Sequence, residues 1–380
     1  MTKASKIIVA CAVAVATLVL DGRGENVKMV MDIKMQAVAD SLLRAAIKSH
    51  EEIKGACLMA VSTKSGAIRT MVNLTRDDRG DIGKYYNVSI GYGYEPGRII
   101  APATALAAAK CDSTLSLEGL DLTNKDALAD LAGRCYPPAY CDSLKTMLIG
   151  ECSLDHLELE GLAGMKMLTP DDRNWRDNNL ASIANGYAIM APAFQWLGLY
   201  TAIARGGIRS ADYTLCSKEQ ADALTRSLKA ASAVSMSGAA YEMAGLTGTS
   251  YIAMPGVGYT DEYGRHAMQF SYAGFFPADN PAFSIICMVY TGPMSKANSI
   301  SSIPSQVVKE FVGSSIVAER VSSIATKAGH HSRCLPSSSA CGHRPSLICG
   351  APSYMKPASR APESPLAWPP VGSPVGNPSP

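Results

Sequence analysis

From Asp32 onward the apolar positions fall at helical spacing. Val38, Leu42, Leu43, Ala46 and Ile47 recur every three or four residues and define one apolar face. Asp32 stands ahead of them as an N-cap. The period then changes to two. Residues 56–62 and 67–74 alternate, and Thr63, Lys64, Ser65 and Gly66 between them have turn chemistry, which predicts a β-hairpin. An alanine-rich stretch, 101–110, reads as a helix, and residues 111–180 mix short helical stretches with loops. A helix over 196–204 is closed by Gly206 and Gly207, and an amphipathic helix follows over 218–231. Residues 266–276 and 283–290 read as strands joined by a turn over 277–281, and a helix over 303–320 ends the pattern. Helix, hairpin, helical insertion, late hairpin and terminal helix predict an α/β sandwich, in which strands from both ends share one antiparallel sheet with helices on its faces.

The two ends read differently. A basic start is followed by an unbroken apolar run over 7–20, which resembles a signal-peptide core or a marginal membrane anchor and is short for a spanning helix. At the other end, residues 331–380 hold eleven of the 22 prolines, with many serines and no apolar period. Such a segment cannot bury enough surface to offset its chain entropy. The expected organisation is therefore a signal-like or anchor segment at 1–25, one domain at 26–320, and a disordered tail at 321–380, either natural or an out-of-frame extension.

An apolar fraction of 47% against 18% charged residues supports a sizeable core in a chain of 380 residues. A net charge of +2 and 7% aromatic residues give no electrostatic or stacking case for nucleic acid. The eleven cysteines include no CxxC pair, so zinc ribbons and thioredoxin-like sites are not expected, and no metal or other cofactor is implied. Buried free thiols are the simplest reading, and no disulfide framework can be read.

Several stretches carry a family resemblance. Residues 26–36 resemble the "TTID…LQ" opening of the transpeptidase domain of penicillin-binding proteins. The hairpin over 56–74 resembles that family's first strands, and residues 85–97, ending in Glu95, Pro96 and Gly97, resemble the run into its nucleophile. Thr169–Trp175, Ser182–Tyr187, Ala191–Gln195 and Tyr200–Ala204 resemble the segment before and through its "TPLQ" helix. Gly245–Thr249 stands where the family has "GKTGT", and Phe270–Pro281 is close to "SFAGFFPADNP". The match runs in order over roughly residues 26–315, and the likeness is closest to the septal, cell-division type. The resemblance implies an antiparallel sheet flanked by helices plus a helical subdomain, and a place in the cell envelope, exported or anchored through 7–20. It also implies a ligand such as a peptidoglycan stem peptide or a β-lactam, and partners among envelope or division proteins. The family's chemistry is acyl transfer by a serine, activated by a lysine one helical turn later, with a Ser-x-Asn loop and a Lys-Thr-Gly strand completing the site.

This chain departs from that pattern at each station. Arg98 stands at the serine position and Ala101 at the lysine position. An arginine has no lone pair to offer as a nucleophile and stays protonated, and alanine cannot take a proton. Near the expected Ser-x-Asn the chain reads Cys135, Tyr136, Pro137, and Leu246 replaces the strand lysine while Thr247, Gly248 and Thr249 remain as candidate substrate-binding residues. Losing such a nucleophile or its base costs about a millionfold in kcat. Elsewhere, Lys64-Ser65-Gly66 reads as a turn and Ser353…Lys356 as a chance match in the tail. Cys135 is a weak surrogate nucleophile with no histidine near it in sequence. His156 bears no visible relation to it, nor does His266, which reads as a hydrogen-bonded edge residue. The charged stretch Asp171–Asp177 reads as a solvated loop. Arg98 reads either as a clamp for a carboxylate or as a solvated surface residue. The expectation is a domain of this family without catalysis, in a structural or regulatory role. The alternatives are residual acyl transfer through an unrecognised residue and a decayed gene product.

Overall fold

The computed structural model describes residues 31–149, 162–210, 213–254, 256–295 and 300–331. The expected signal-like run, His156 and the Ser353…Lys356 match lie outside them. In chain order the elements are helix α1 (Ile33–Ser49), strands β1 (Ile53–Ser62), β2 (Ile68–Arg76) and β3 (Ile82–Gly83), and the single turn α2 (Val88–Gly91). A 3-10 turn (Gly97–Ile100) then runs directly into α3 (Ala101–Cys111). Helices α4 (Lys125–Gly133) and α5 (Pro137–Ile149) follow, then β4 (Lys166–Met167), α6 (Asn179–Ala184), β5 (Ile189–Met190), α7 (Ala193–Ala204) and α8 (Lys218–Ser235). The last elements among the described residues are β6 (Ala244–Ile252), β7 (Ala267–Phe276), β8 (Phe283–Thr291), α9 (Ile303–Gly313) and α10 (Ser315–His331).

Six strands form one sheet in the order β3-β2-β1-β8-β7-β6, so strands from both ends of the domain meet at its centre. All its pairings are antiparallel. Leu58 of β1 faces Val72 on one side and Cys287 on the other, and Leu246 of the edge strand β6 faces Ala273. Side chains alternate across a strand, and this divides the core in two. Leu58, Ala60, Phe270, Ile285 and Val289 pack against α1, α9 and α10. Cys57, Met59, Leu246, Ala273 and Ile286 pack against the helical subdomain, whose centre is α3 and α7.

Local chemistry explains the elements that were anticipated. The Asp32 carboxylate accepts hydrogen bonds from the Lys34 and Met35 backbone N–H groups at 3.0 and 3.2 Å, which starts α1. Met35, Ala39, Leu43 and Ile47, four residues apart, are its buried stripe. Gly66, at φ 72°, closes the hairpin turn. The terminal helix differs from expectation. Ser314 is extended (φ −68°, ψ 143°), so the single helix expected over 303–320 is two. The second helix runs eleven residues past the expected start of a disordered tail at 321. Its apolar period continues through Val317, Val321 and Ile324, which pack on the core that the sheet shares with α1, and no proline interrupts the chain between this helix and Pro336. Among the described residues no helix is long and apolar enough to cross a membrane.

Candidate active-site groove

The 3-10 turn carrying Arg98 is fixed to the edge strand mainly through backbone. Gly97 has φ 55°, and a Cβ there would sit 2.4 Å from the Thr249 carbonyl oxygen. Gly186 has φ 84°, and a Cβ there would sit 2.1 Å from the Gly97 carbonyl oxygen. Both are left-handed positions with no room for a side chain, so three segments meet where only glycine fits. The Gly97 N–H donates to the Gly186 carbonyl at 3.2 Å. The Ser250 hydroxyl donates to the Glu95 carbonyl at 2.6 Å, and the Tyr200 hydroxyl to the Ile99 carbonyl at 3.0 Å.

Over this seam lies a cavity of about 200 Å³ lined by Arg98, Lys125, Asn185, Tyr187, Thr247, Thr249, Ser250, Tyr251 and Met268. The structure thus brings together Arg98, Thr247 and Thr249 from the sequence-derived set. Gly248 is buried between the two threonines. Ala101 is fully buried and Leu246 is 2% exposed, and both belong to the apolar core of the helical subdomain. Cys135 and Pro137 do not line the groove. The Cys135 thiol is buried, 3.9 Å from the Ala107 carbonyl oxygen, and burial together with the neighbouring Cys111 thiol pushes it up to about 12. A thiol so reluctant to ionise is a poor nucleophile.

Six groove residues, Lys125, Asn185, Tyr187, Ser250, Tyr251 and Met268, are not among the sequence-derived site residues. Asn185 and Tyr187 lie inside the Ser182–Tyr187 stretch that carries the resemblance, so a signal existed. Lys125 is the first residue of α4 and is exposed, and no pattern in the sequence marks it. The Asn185 amide donates to the Lys125 carbonyl at 3.2 Å, which ties α4 to the groove wall. Among the described residues the side chains of Arg98 and Lys125 form no hydrogen bond or ion pair. The Arg98 charge is felt by Asp121, whose carboxyl is held below its ordinary value first by the Thr123 hydroxyl and to a smaller extent by that guanidinium.

Behind the groove sits Glu95, 6% exposed. Its Oε1 accepts from the Ala188 N–H at 2.9 Å and from the Tyr259 hydroxyl at 3.1 Å, while Oε2 has no partner among the described residues. Burial pushes this carboxyl up to about 7, against the opposing effect of its two donors. Ala188 is the one described non-glycine residue with positive φ, 58°, and Glu95 holds its N–H. The Tyr187 phenol is raised by burial and then by the Glu95 charge.

The remaining candidates fall elsewhere. Lys64 and Ser65 lie in the hairpin turn and line a separate cavity of about 780 Å³ beside Arg205, Pro277 and Ile324, away from Arg98, Thr247 and Thr249. His266 precedes β7, with Nδ1 2.9 Å from the Tyr259 carbonyl oxygen. Asp172 accepts from the Thr169 N–H and hydroxyl at 2.7 and 2.8 Å, in an exposed loop. Among the described residues no group of three or more His, Cys, Asp or Glu is arranged to hold a metal ion.

A six-stranded antiparallel sheet between helices, with a helical subdomain closing a groove against its edge strand, defines the class. This is the fold of penicillin-binding-protein transpeptidase domains. Residues 161–312 match the model of the penicillin binding protein transpeptidase domain. No curated protein sequence matches the chain. Among solved structures, the transpeptidase domain of Burkholderia pseudomallei penicillin-binding protein 3 aligns with a TM-score of 0.61 at 18% identity, covering 77% of this chain and 96% of that one. Penicillin-binding protein 3 from Mycobacterium tuberculosis, complexed with aztreonam, aligns with a TM-score of 0.59 at 18% identity, covering 74% and 77%. The transpeptidase domain of the FtsI4 D,D-transpeptidase from Legionella pneumophila aligns with a TM-score of 0.54 at 16% identity, covering 74% and 98%. At these identities the structural likeness speaks for the fold.

Proposed function

We propose that this chain is a non-catalytic member of the penicillin-binding-protein group, a domain that holds a carboxylate-bearing ligand without forming an ester with it. Its place would be in peptidoglycan assembly or division at the cell envelope, as a structural or regulatory partner. What supports this reading is the set of residues at the stations that the sequence resemblance marks. A guanidinium stands at the nucleophile position, and the two lysine positions are an alanine and a leucine sealed in an apolar core. Arg98 and Lys125, with the Thr247 and Thr249 hydroxyls, offer donors suited to a carboxylate. The natural ligand on this reading is a peptidoglycan stem peptide, and a β-lactam would bind reversibly for the same reason.

One observation favours residual acyl transfer instead. The Lys125 amine and the hydroxyls of Thr247, Thr249 and Ser250 line the same cavity. However, no hydrogen bond joins the amine to any of them among the described residues, and the Ser250 hydroxyl is committed to the Glu95 carbonyl. Labelling the purified protein with a fluorescent penicillin, followed by intact-mass measurement, decides the matter. The expected result is no covalent adduct. Stoichiometric acylation mapped to Thr249 or Ser250 would overturn the proposal. Reversible binding of a D-Ala-D-Ala peptide is expected, weakened at least about tenfold in Arg98→Ala by loss of a charge-assisted hydrogen bond.

A further inference from the structure

Helices α3 and α4 leave the groove side by side. Arg98 precedes the first residue of α3 and Lys125 is the first residue of α4, so the two groove cations sit at the near ends. The far ends carry thiols. Cys111 is the last residue of α3 and is exposed, while Cys135 lies in the turn between α4 and α5 and is buried. The Cys135 Sγ lies 3.9 Å from the carbonyl oxygen of Ala107, one turn back from Cys111 on the same helix. It lies 4.0 Å from the Leu131 carbonyl oxygen of its own helix. The Ala107 carbonyl is also the helical i−4 partner of the Cys111 N–H, and the Cys111 thiol is near enough to push the Cys135 thiol up. Both residues are at element ends, where the backbone can shift to bring the sulfurs to bonding distance, about 2.05 Å.

We propose that Cys111 and Cys135 are an oxidisable pair, whose disulfide staples the far end of α3 to the turn after α4 and so fixes the spacing of the Arg98 and Lys125 ends. The oxidant is a thiol-derived disulfide, small or protein-borne. The exposed Cys111 thiolate attacks one sulfur of that disulfide and releases one thiolate. Cys135 then loses its proton to solvent and attacks the Cys111 Sγ of the mixed disulfide. The second thiolate leaves and is protonated. The two protein thiols lose two electrons and two protons in total, and the oxidant is reduced to two thiols. Cys135 is the slow partner, because its buried thiol ionises with difficulty. The inference is independent of whether the groove binds a carboxylate or reacts with one.

The test uses the full chain, folded, treated with oxidised glutathione, alkylated and digested with trypsin without reduction. Cleavage after Lys110 and Arg134 gives one peptide beginning at Cys111 and another containing both Cys135 and Cys141. The expected product is those two peptides joined and lighter by two hydrogens, with fragmentation placing the bond on Cys135. Cys111→Ser should lose the cross-link. Cys135→Ala should stop at glutathione on Cys111, a readout that does not depend on the buried thiol. A persistent mixed disulfide at Cys111 in the unsubstituted protein, a bond to Cys141, or no reaction at either cysteine would each overturn the proposal.

Discussion

Glu95 offers the sharpest test of the groove's electrostatics. Its carboxyl, ordinarily near 4.5, is raised to about 7 chiefly by burial. Below pH 4.5 the folded and unfolded chains both hold the proton, and the group contributes no difference. Between about 4.5 and 7 the unfolded chain releases the proton and the folded chain retains it. Each pH unit therefore favours unfolding by about 1.4 kcal/mol. Above about 7 both states are ionised, and the accumulated penalty levels off at about 3 kcal/mol. Glu95→Gln keeps an oxygen to accept from Ala188 and Tyr259 but cannot ionise. Its amide N–H₂ falls where Oε2 has no partner, which costs about 1–3 kcal/mol at every pH. That cost cancels when one variant is compared with itself across pH. Urea unfolding of both proteins from pH 4.5 to 8 should therefore show Glu95→Gln gaining about 3 kcal/mol relative to the parent, nearly all of it between pH 4.5 and 7. A difference between the two that stays flat through that window would refute the claim that this carboxyl is held neutral by its surroundings.

Other substitutions probe the rest of the groove. Leu246→Lys alone should destabilise the fold by about 3–5 kcal/mol, read by denaturant midpoint, because an unpaired ammonium would enter an apolar core where Leu246 is 2% exposed. Gly97→Ala should lower stability by more than about 1 kcal/mol, read the same way, since it combines a left-handed φ with a 2.4 Å approach to the Thr249 carbonyl. The triple variant Arg98→Ser, Ala101→Lys, Leu246→Lys should take up little fluorescent penicillin, since the chain contains no Ser-x-Asn segment. Robust acylation of that variant would show that the third station was misplaced.

Much of this architecture was legible from period and punctuation. Asp32 before a 3–4 repeat gave α1, and Thr63–Gly66 between alternating runs gave the hairpin. The strands β7 and β8 followed from unbroken apolar stretches on either side of a proline-bounded turn. What escaped notice is tertiary or subtle. Lys125 is tied to the groove wall by the Asn185 amide, sixty residues on, which donates to its carbonyl. The burial of Glu95 depends on Ala188 and Tyr259, both distant in sequence. The break at Ser314 had a local signal. Its hydroxyl donates to the Phe311 carbonyl at 2.8 Å and accepts from the Val317 N–H at 3.4 Å, so it ends one helix and caps the next. Continuous apolar spacing across 303–320 masked it. The helix beyond Arg320 is masked by the proline- and serine-rich composition that begins soon after it, at Pro336.

The seam of Gly97, Gly186 and Thr249 has a wider consequence. The mould of the groove is cast in main chain, so exposed side chains on its rim can be exchanged without disturbing the seam. A lysine introduced at 101 or 246, by contrast, would have to enter space that alanine and leucine fill.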